Sequence, residues 1–416
     1  MEKVKDIIKD YESSQKRFRM EVTILPTLFR DEEIDLMQNA GFDTVELNEY
    51  QFGVLGEKIY EKVIEVLEDR GFDLRYSYFG EGCGSTGLDR IKNYDFTKHP
   101  KIWSVHPWDE PPYQKFDELK EVFEFIEANI PEKVFVASCL FPVYANKEQV
   151  GAEYEEYVDK YFRYVLQNMK HGKAASCDYY PFFHDEHNRS VMFDTWVYNH
   201  MLFAKMGKKY NAEIHWCIQT SNYVQHRIVD AQDVKMQLYM CMAFGVVSVC
   251  FFTYATPLLH ADFSNGGGGM IGPNYKPTLM YHAGKDAIAE IRKVEKFYMG
   301  FKWQGTKTFV GKNNVFGKRK DFEYLTEEME KFTRIDNVSC SEDTVISELY
   351  DAENDRYGYV IVNYNDPIQG KTDDIKFTIK DQNNCVAFIK GEPVEFSSNA
   401  EFTLERGGGA LIIIAK

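Results

Sequence analysis

Residues 106–112, HPWDEPP, set two adjacent carboxyls, Asp109 and Glu110, between Trp108 and the prolines Pro111 and Pro112. Burial penalises a carboxylate's charge, so an apolar wall such as Trp108 favours the neutral acid. A carboxyl still protonated near neutral pH can act as a general acid toward a leaving oxygen. Acidic residues also favour helix N-termini, but the next helical pattern begins near Phe116, several residues on. A third acid, Asp178, lies in CDYYPFF. On an extended strand it shares a face with Tyr180, pairing an acid with an aromatic ring. The same Asp could instead cap the following loop.

Other segments end in polar or aromatic groups able to hold a polar ligand. VELNEY offers Glu46 and Asn48 on one face, and YFGEGCGS sets Glu81 in a glycine-rich turn. HWCIQTSN ends at Gln219, with His215 and Trp216 before it, and FFTYATP presents Tyr254. The loop LLHADFSNGGGGM adds His260 and Asp262 as rim residues. Its four glycines read as a lid or loop tip rather than a phosphate cradle.

These residues need a scaffold that gathers strand ends. Eight short apolar segments recur: Met20–Phe29, Phe42–Asn48, Phe72–Gly80, Ile102–Glu110, Lys133–Pro142, Ala174–Phe183, Glu213–Asn222 and Val247–Pro257. Amphipathic stretches alternate with them, among them Glu32–Ala40, Lys58–Arg70, Lys115–Ala128, Tyr154–Met169, Ser190–Tyr210 and Asp230–Ala243. Strand–helix alternation predicts parallel βαβ units, and eight in about 280 residues predict a closed (β/α)8 barrel. An open dinucleotide-binding sheet would show a glycine-rich turn after its first strand, where this chain has LPTLFRDEE. In such a barrel the carboxyl ends of the strands converge on one mouth, so the residues above are expected there.

A helix after Pro277 closes the barrel near Phe297. Beyond Phe301 short alternating runs appear (Thr344–Leu349, Tyr357–Asn363, Asp374–Ile379, Val386–Ile389, Ala400–Leu404, Gly409–Ala415) between Asp, Asn and Gly turns. They predict a small antiparallel β-sandwich. The expected division is a catalytic barrel at 1–300 and a β-sandwich at 301–416, with the charged stretch Gly305–Glu330 as the link.

Composition narrows the ligand. The net charge of −16 argues against nucleic acid and anionic membrane surfaces, both of which need a basic patch. A neutral substrate is the simplest match. Aromatic residues make up 15% of the chain, with 27 Tyr and 31 Phe, which suits either a large core or a ligand whose C–H faces stack on rings. The eight cysteines (Cys83, Cys139, Cys177, Cys217, Cys241, Cys250, Cys340, Cys385) form no CxxC pair, and several sit in apolar strands. No metal or cofactor is therefore expected, and buried thiols point to a reducing cytoplasm. The opening MEKVKDIIKDYESSQKRF has no apolar h-region, so no signal peptide is read there. No apolar run reaches the roughly 18 residues of a membrane span.

The strand ends WDEP, DYYP, IQ and FFTY resemble those of clan A-type glycoside hydrolases, especially β-galactosidase-like TIM barrels with a C-terminal β-domain. The closing LERGGGALIIIA is similar to the last strands of such domains. The resemblance implies cleavage of O-glycosidic bonds in a neutral oligosaccharide or glycoside, with Glu110 as general acid/base. The family's usual Asn before that Glu is Asp109 here, and its strand-seven nucleophile has no counterpart, since Gln219 stands there.

Three routes follow. In the first, a second carboxylate comes from Asp178, Glu81 or Glu46, its separation from Glu110 setting stereochemistry at roughly 5 Å for retention and about 6.5–9.5 Å for inversion. Asp109 and Glu110 could together run a substrate-assisted N-acetylhexosaminidase-like reaction, provided both lie past the regular end of strand four. Or the barrel binds glycans without cutting them. Trp108, Glu46, Asn48, Glu81, Tyr180, Gln219 and Tyr254 are the expected sugar contacts. Aldolase or phosphosugar chemistry is disfavoured because no strand end carries a Schiff-base lysine.

Overall fold

The computed structural model describes residues 4–26, 30–47, 56–77, 88–130, 134–257, 263, 267–325 and 327–416. The first seven strands are β1 (Arg19–Val22), β2 (Thr44–Leu47), β3 (Asp73–Ser77), β4 (Ile102–His106), β5 (Phe135–Val136), β6 (Cys139–Leu140) and β7 (Ala174–Asp178). A hairpin follows, β8 (Phe182–His184) and β9 (Ser190–Met192), then β10 (Glu213–Gln219) and β11 (Val246–Phe252). Apart from the hairpin these strands pair in parallel, in the order β5-β4-β3-β2-β1-β11-β10-β7-β6. β5 and β6 are two halves of one chain segment, so the ends of that order meet and the sheet closes. Eight chain segments build it, as the alternation predicts.

The helices form because one face of each is apolar. In Phe116–Asn129 the buried residues are Phe116, Leu119, Val122, Phe123 and Ile126, the spacing of a single helical stripe. Ala231–Ala243 is instead buried from Val234 onward almost all round, because it lies between β10 and β11 on one side and the C-terminal strands on the other. Asp230 caps its start by accepting from the backbone N–H groups of Gln232 and Asp233.

Two local expectations change. The helix expected at Ser190–Tyr210 runs only Trp196–Tyr210, because the start of that stretch pairs as β9 against β8, Phe182 opposite Met192. The segment Ala174–Phe183 divides into β7 and β8 around Pro181, which has no N–H to give a ladder.

The C-terminal strands are β12 (Lys302–Phe309), β13 (Ile335–Cys340), β14 (Thr344–Asp351), β15 (Arg356–Asn363), β16 (Asp373–Ile379), β17 (Asn384–Ile389), β18 (Glu392–Ser397), β19 (Asn399–Leu404) and β20 (Gly409–Ile414). They pair antiparallel in the order β12-β14-β15-β20-β17-β18-β19-β16-β13. The sheet folds over a core in which Ile346, Ile361 and Ile412 meet Ile335, Ile375 and Phe377. The opposite face of β14, β15 and β20, with Val345, Val360, Leu411 and Ile413, joins the barrel's own hydrophobic core. Residues 305–309, expected in a link, belong to β12 and pair with β14; the polar residues Lys302, Gln304 and Lys307 mask the strand pattern. β18 is exposed along nearly its whole length, so no alternation marked it.

Candidate active site

The barrel interior carries a charged layer. From β1, Glu21 accepts from Arg75 of β3 at 2.7 Å and from Ser248 of β11. Arg75 also lies 3.0 Å from Nδ1 of His215 on β10. From β2, Oε1 of Glu46 accepts from Ser77 Oγ at 2.8 Å and from His106 Nδ1 at 2.7 Å. Burial works to raise the Glu46 pKa, but the hydrogen bond from His106, the Arg75 charge and the bond from Ser77 hold it below the ordinary carboxylate value. Glu46 is thus a buried, permanently charged anchor under the mouth, and the sugar-binding role expected of it is withdrawn: its near oxygen is already shared by two donors.

Above this layer β4 ends at His106, and Trp108, Asp109 and Glu110 lie past the regular strand. Glu110 has φ +48°, a left-handed backbone that side chains with a Cβ seldom adopt. Its N–H donates to Cys139 O at 2.8 Å, which docks the tip onto β6. The Tyr157 hydroxyl donates to Pro111 O at 3.0 Å and fixes the outgoing chain.

The fold brings three carboxyls together here. Asp109, Glu110 and Asp178 are all partly buried. Burial raises Glu110 to about 7. Burial, then the Glu110 charge, raises Asp109 to about 8. Asp178, at the end of β7, is pushed well above the carboxylate range by burial and then by Glu110 and Asp109. Its Oδ1 is shielded from solvent without a hydrogen-bond partner among the described residues. Like charges in a desolvated space cannot all ionise, so the trio shares protons as a unit.

Rings border the trio. Tyr180 stacks on Phe252 with centroids 5.2 Å apart and stands 6.0 Å from Tyr223. Tyr144, 38% exposed, stacks on Phe193 at 4.8 Å, and the Asp178 charge helps burial raise its hydroxyl pKa. Tyr144 and Tyr223 were not anticipated. Both lie just past the ends of the fifth and seventh barrel strands, where a search of loops as well as strand tips would have found them. His106 and Cys217 also escaped notice, being interior residues whose partners come from other strands.

Other expected contacts are placed differently. Trp108 is 1% exposed and packs beneath the tip, so it offers an apolar wall and no stacking platform. Gln219 is fully buried: its amide accepts from Phe182 N and donates to Phe182 O and Arg227 O, each at 3.0 Å, clamping the loops after β7 and β10. Tyr254 is buried with its hydroxyl 3.4 Å from Glu33 O, tying the helix Asp31–Ala40 to the barrel. Neither reaches the mouth, because each polar atom is taken by backbone. Asn48, Glu81, His260 and Asp262 lie outside the described residues. Among the described residues no group of His, Cys, Asp and Glu could hold a metal ion, and no helix is long and apolar enough to cross a membrane.

No family model and no curated protein matches the chain. Solved structures do. A catalytic mutant of a GH42 β-galactosidase from G. stearothermophilus aligns at 9% identity and TM-score 0.57, over 97% of this chain and 99% of that one. A GH27 β-L-arabinopyranosidase from Geobacillus stearothermophilus gives 9% and 0.45 over 98% and 97%. A β-galactosidase from the haloarchaeon Halorubrum lacusprofundi gives 12% and 0.43, over 66% of this chain and 58% of that one, less than two thirds of its length. The first alignment carries the comparison, and at such identity it speaks for architecture alone. The chain shares the fold of that β-galactosidase, a (β/α)8 barrel followed by an antiparallel β-domain.

Proposed function

We propose that the protein hydrolyses O-glycosidic bonds of a neutral carbohydrate, with Glu110 as proton donor and Asp178 as the second carboxyl. The observation that carries this reading is the carboxyl trio at the ring-lined mouth, with a buried Asp178 oxygen that has no hydrogen-bond partner among the described residues. Glycoside cleavage asks for one carboxyl that is protonated and another that is ionised on either side of one bond. A cluster in which each ionisation suppresses the next holds both forms at neutral pH. In the singly charged state of the trio whose charge sits on Asp178, Glu110 gives its proton to the glycosidic oxygen while Asp178 steadies the developing positive charge or activates water. Tyr144, Tyr223 and Phe252 supply faces for the sugar's C–H bonds, and the buried Tyr180 backs Phe252. Of the two second-carboxyl candidates among the described residues, Glu46 is locked in the layer below and Asp178 stands with Glu110 in the trio.

A substrate-assisted reaction through Asp109 and Glu110 is the second reading. It is favoured by the position of both residues beyond the regular end of β4, where consecutive side chains need not diverge. A panel of aryl glycosides and oligosaccharides, with the product anomer followed by NMR, separates the readings. Turnover confined to 2-acetamido sugars selects substrate assistance. Binding by calorimetry with no turnover across the panel selects a non-catalytic glycan binder. Full activity of Glu110→Gln on any cleaved glycoside ends the proposal.

A further inference from the structure

We infer that His106, backed by Glu46, is the positioning residue for Glu110: its imidazole holds the peptide of Cys139, and Cys139 in turn holds the left-handed backbone on which Glu110 stands. The inference rests on the reading of Glu110 as proton donor and concerns what keeps that group in place.

The chain of contacts is continuous. Oε1 of Glu46 lies 2.7 Å from His106 Nδ1. The other ring nitrogen, Nε2, accepts the Cys139 N–H at 3.0 Å. The carbonyl of the same Cys139 accepts the Glu110 N–H at 2.8 Å. Because Nε2 accepts, the ring proton sits on Nδ1 and donates to Glu46; the tautomer is fixed from both ends. Ser77 Oγ, 2.8 Å from the same Glu46 oxygen, holds the carboxylate in turn.

Local sequence explains why the tip needs this support. Pro107, Pro111 and Pro112 have no N–H groups, so the stretch past β4 has few means of pairing with its neighbours. The strand it leans on is itself interrupted, β5 ending at Val136 and β6 starting at Cys139. Cys139 is therefore not held by an unbroken ladder, and the imidazole replaces part of what the ladder would supply. A buried carboxylate–imidazole pair is weak as a source of stability compared with apolar packing of the same volume. Its use at this point fits a demand for fixed geometry. Catalysis is sensitive to that geometry, since a displacement of about 1 Å can cost on the order of 100-fold in rate.

The test uses the full chain as wild type, His106→Ala, His106→Gln and Glu46→Gln. Glutamine at 106 can still accept from Cys139 and donate to Glu46. Charged groups facing the ring are Glu46 on β2, Arg75 on β3 and Asp109 beyond β4, with His215 and Cys217 of β10 across a small void; all five are unchanged in His106→Gln. The first readout needs no substrate: the Glu110 carboxyl is followed by 13C NMR titration and assigned by its loss in Glu110→Gln. In the wild type its midpoint is expected near about 7. In His106→Ala the tip relaxes toward water and the midpoint drops by at least about one pH unit, and His106→Gln restores most of it. On a cleaved glycoside, His106→Ala lowers kcat roughly 10- to 100-fold with little change in KM. A folded His106→Ala whose Glu110 titrates as in the wild type overturns the positioning role, whatever its activity. If His106→Ala does not fold, Glu46→Gln carries the test, because an amide there can reverse the tautomer; an unmoved Glu110 midpoint then overturns it too. Full activity of Glu110→Gln would end the proton-donor reading and leave the titration result standing.

Discussion

Asp109, Glu110 and Asp178 each bind a proton more tightly in the folded chain than in the unfolded one. The stabilisation this brings is complete below the unfolded carboxyl pKa of about 4. It is lost as pH rises through about 7 for Glu110 and about 8 for Asp109. The site should therefore weaken the fold at alkaline pH, the condition in which its carboxylates must charge without water. Glu110→Gln is expected to lower kcat/KM by about 100- to 10,000-fold. The same variant should melt higher than the wild type at pH 8.5, by roughly 1 °C for each kcal/mol relieved in a chain of this size. The difference should shrink as pH falls and vanish below about pH 4. Paired melting curves check this, and a wild type that is the more stable protein at pH 8.5 contradicts the burial argument. Asp178→Asn, nearly isosteric, should fold and lose activity to a comparable degree. An active Asp178→Asn would point to a second carboxyl outside the described residues.

The elements matter here through what their ends are made to hold. Gln219 sits at the strand-seven position where the resembled enzymes keep a carboxylate, and replacing it with Glu looks like a restoration. The contacts say otherwise. Glu at 219 would face the carbonyl oxygens of Phe182 and Arg227, both now receiving hydrogen bonds from the amide. Gln219→Glu should therefore cost about 2–5 kcal/mol and fail to raise activity, because a buried charge would meet two unpaired acceptors. Urea unfolding at pH 7 reads the first outcome and the glycoside panel the second. Increased turnover by a stable Gln219→Glu would show that the side chain reaches the mouth after all.

For the whole molecule, the two domains share a core. Val360, Leu411 and Ile413 pack with the barrel residues around the helix Ala231–Ala243. Near the N-terminus the Tyr11 hydroxyl donates to Asp351 at 2.9 Å, and Arg356 pairs with Asp10 at 2.5 Å. Barrel and β-domain should thus unfold in one calorimetric transition. A fragment ending at residue 300 should expose that apolar face, bind a hydrophobic dye and aggregate. Two well-separated transitions, or a soluble fragment with a cooperative melt, would show the interface to be dispensable.

The barrel was legible in the chain because its signal is local and repeated: eight apolar runs alternating with helical stripes, each short enough to be read from neighbouring residues. The Asp109–Glu110 tip was legible for the same reason, since the prolines that end the strand and the acids they expose are adjacent. What tertiary structure alone decided is which polar ends have partners. Gln219, Tyr254 and Glu46 look like ligand contacts in a linear reading, yet their partners, Phe182 and Arg227, Glu33, and His106 and Ser77, come from elsewhere in the chain. The raised pKa values of the trio likewise come from desolvation and from charges on two separate strands meeting at one mouth. Burial and charge–charge distance belong to the closed barrel, and no window of sequence contains them.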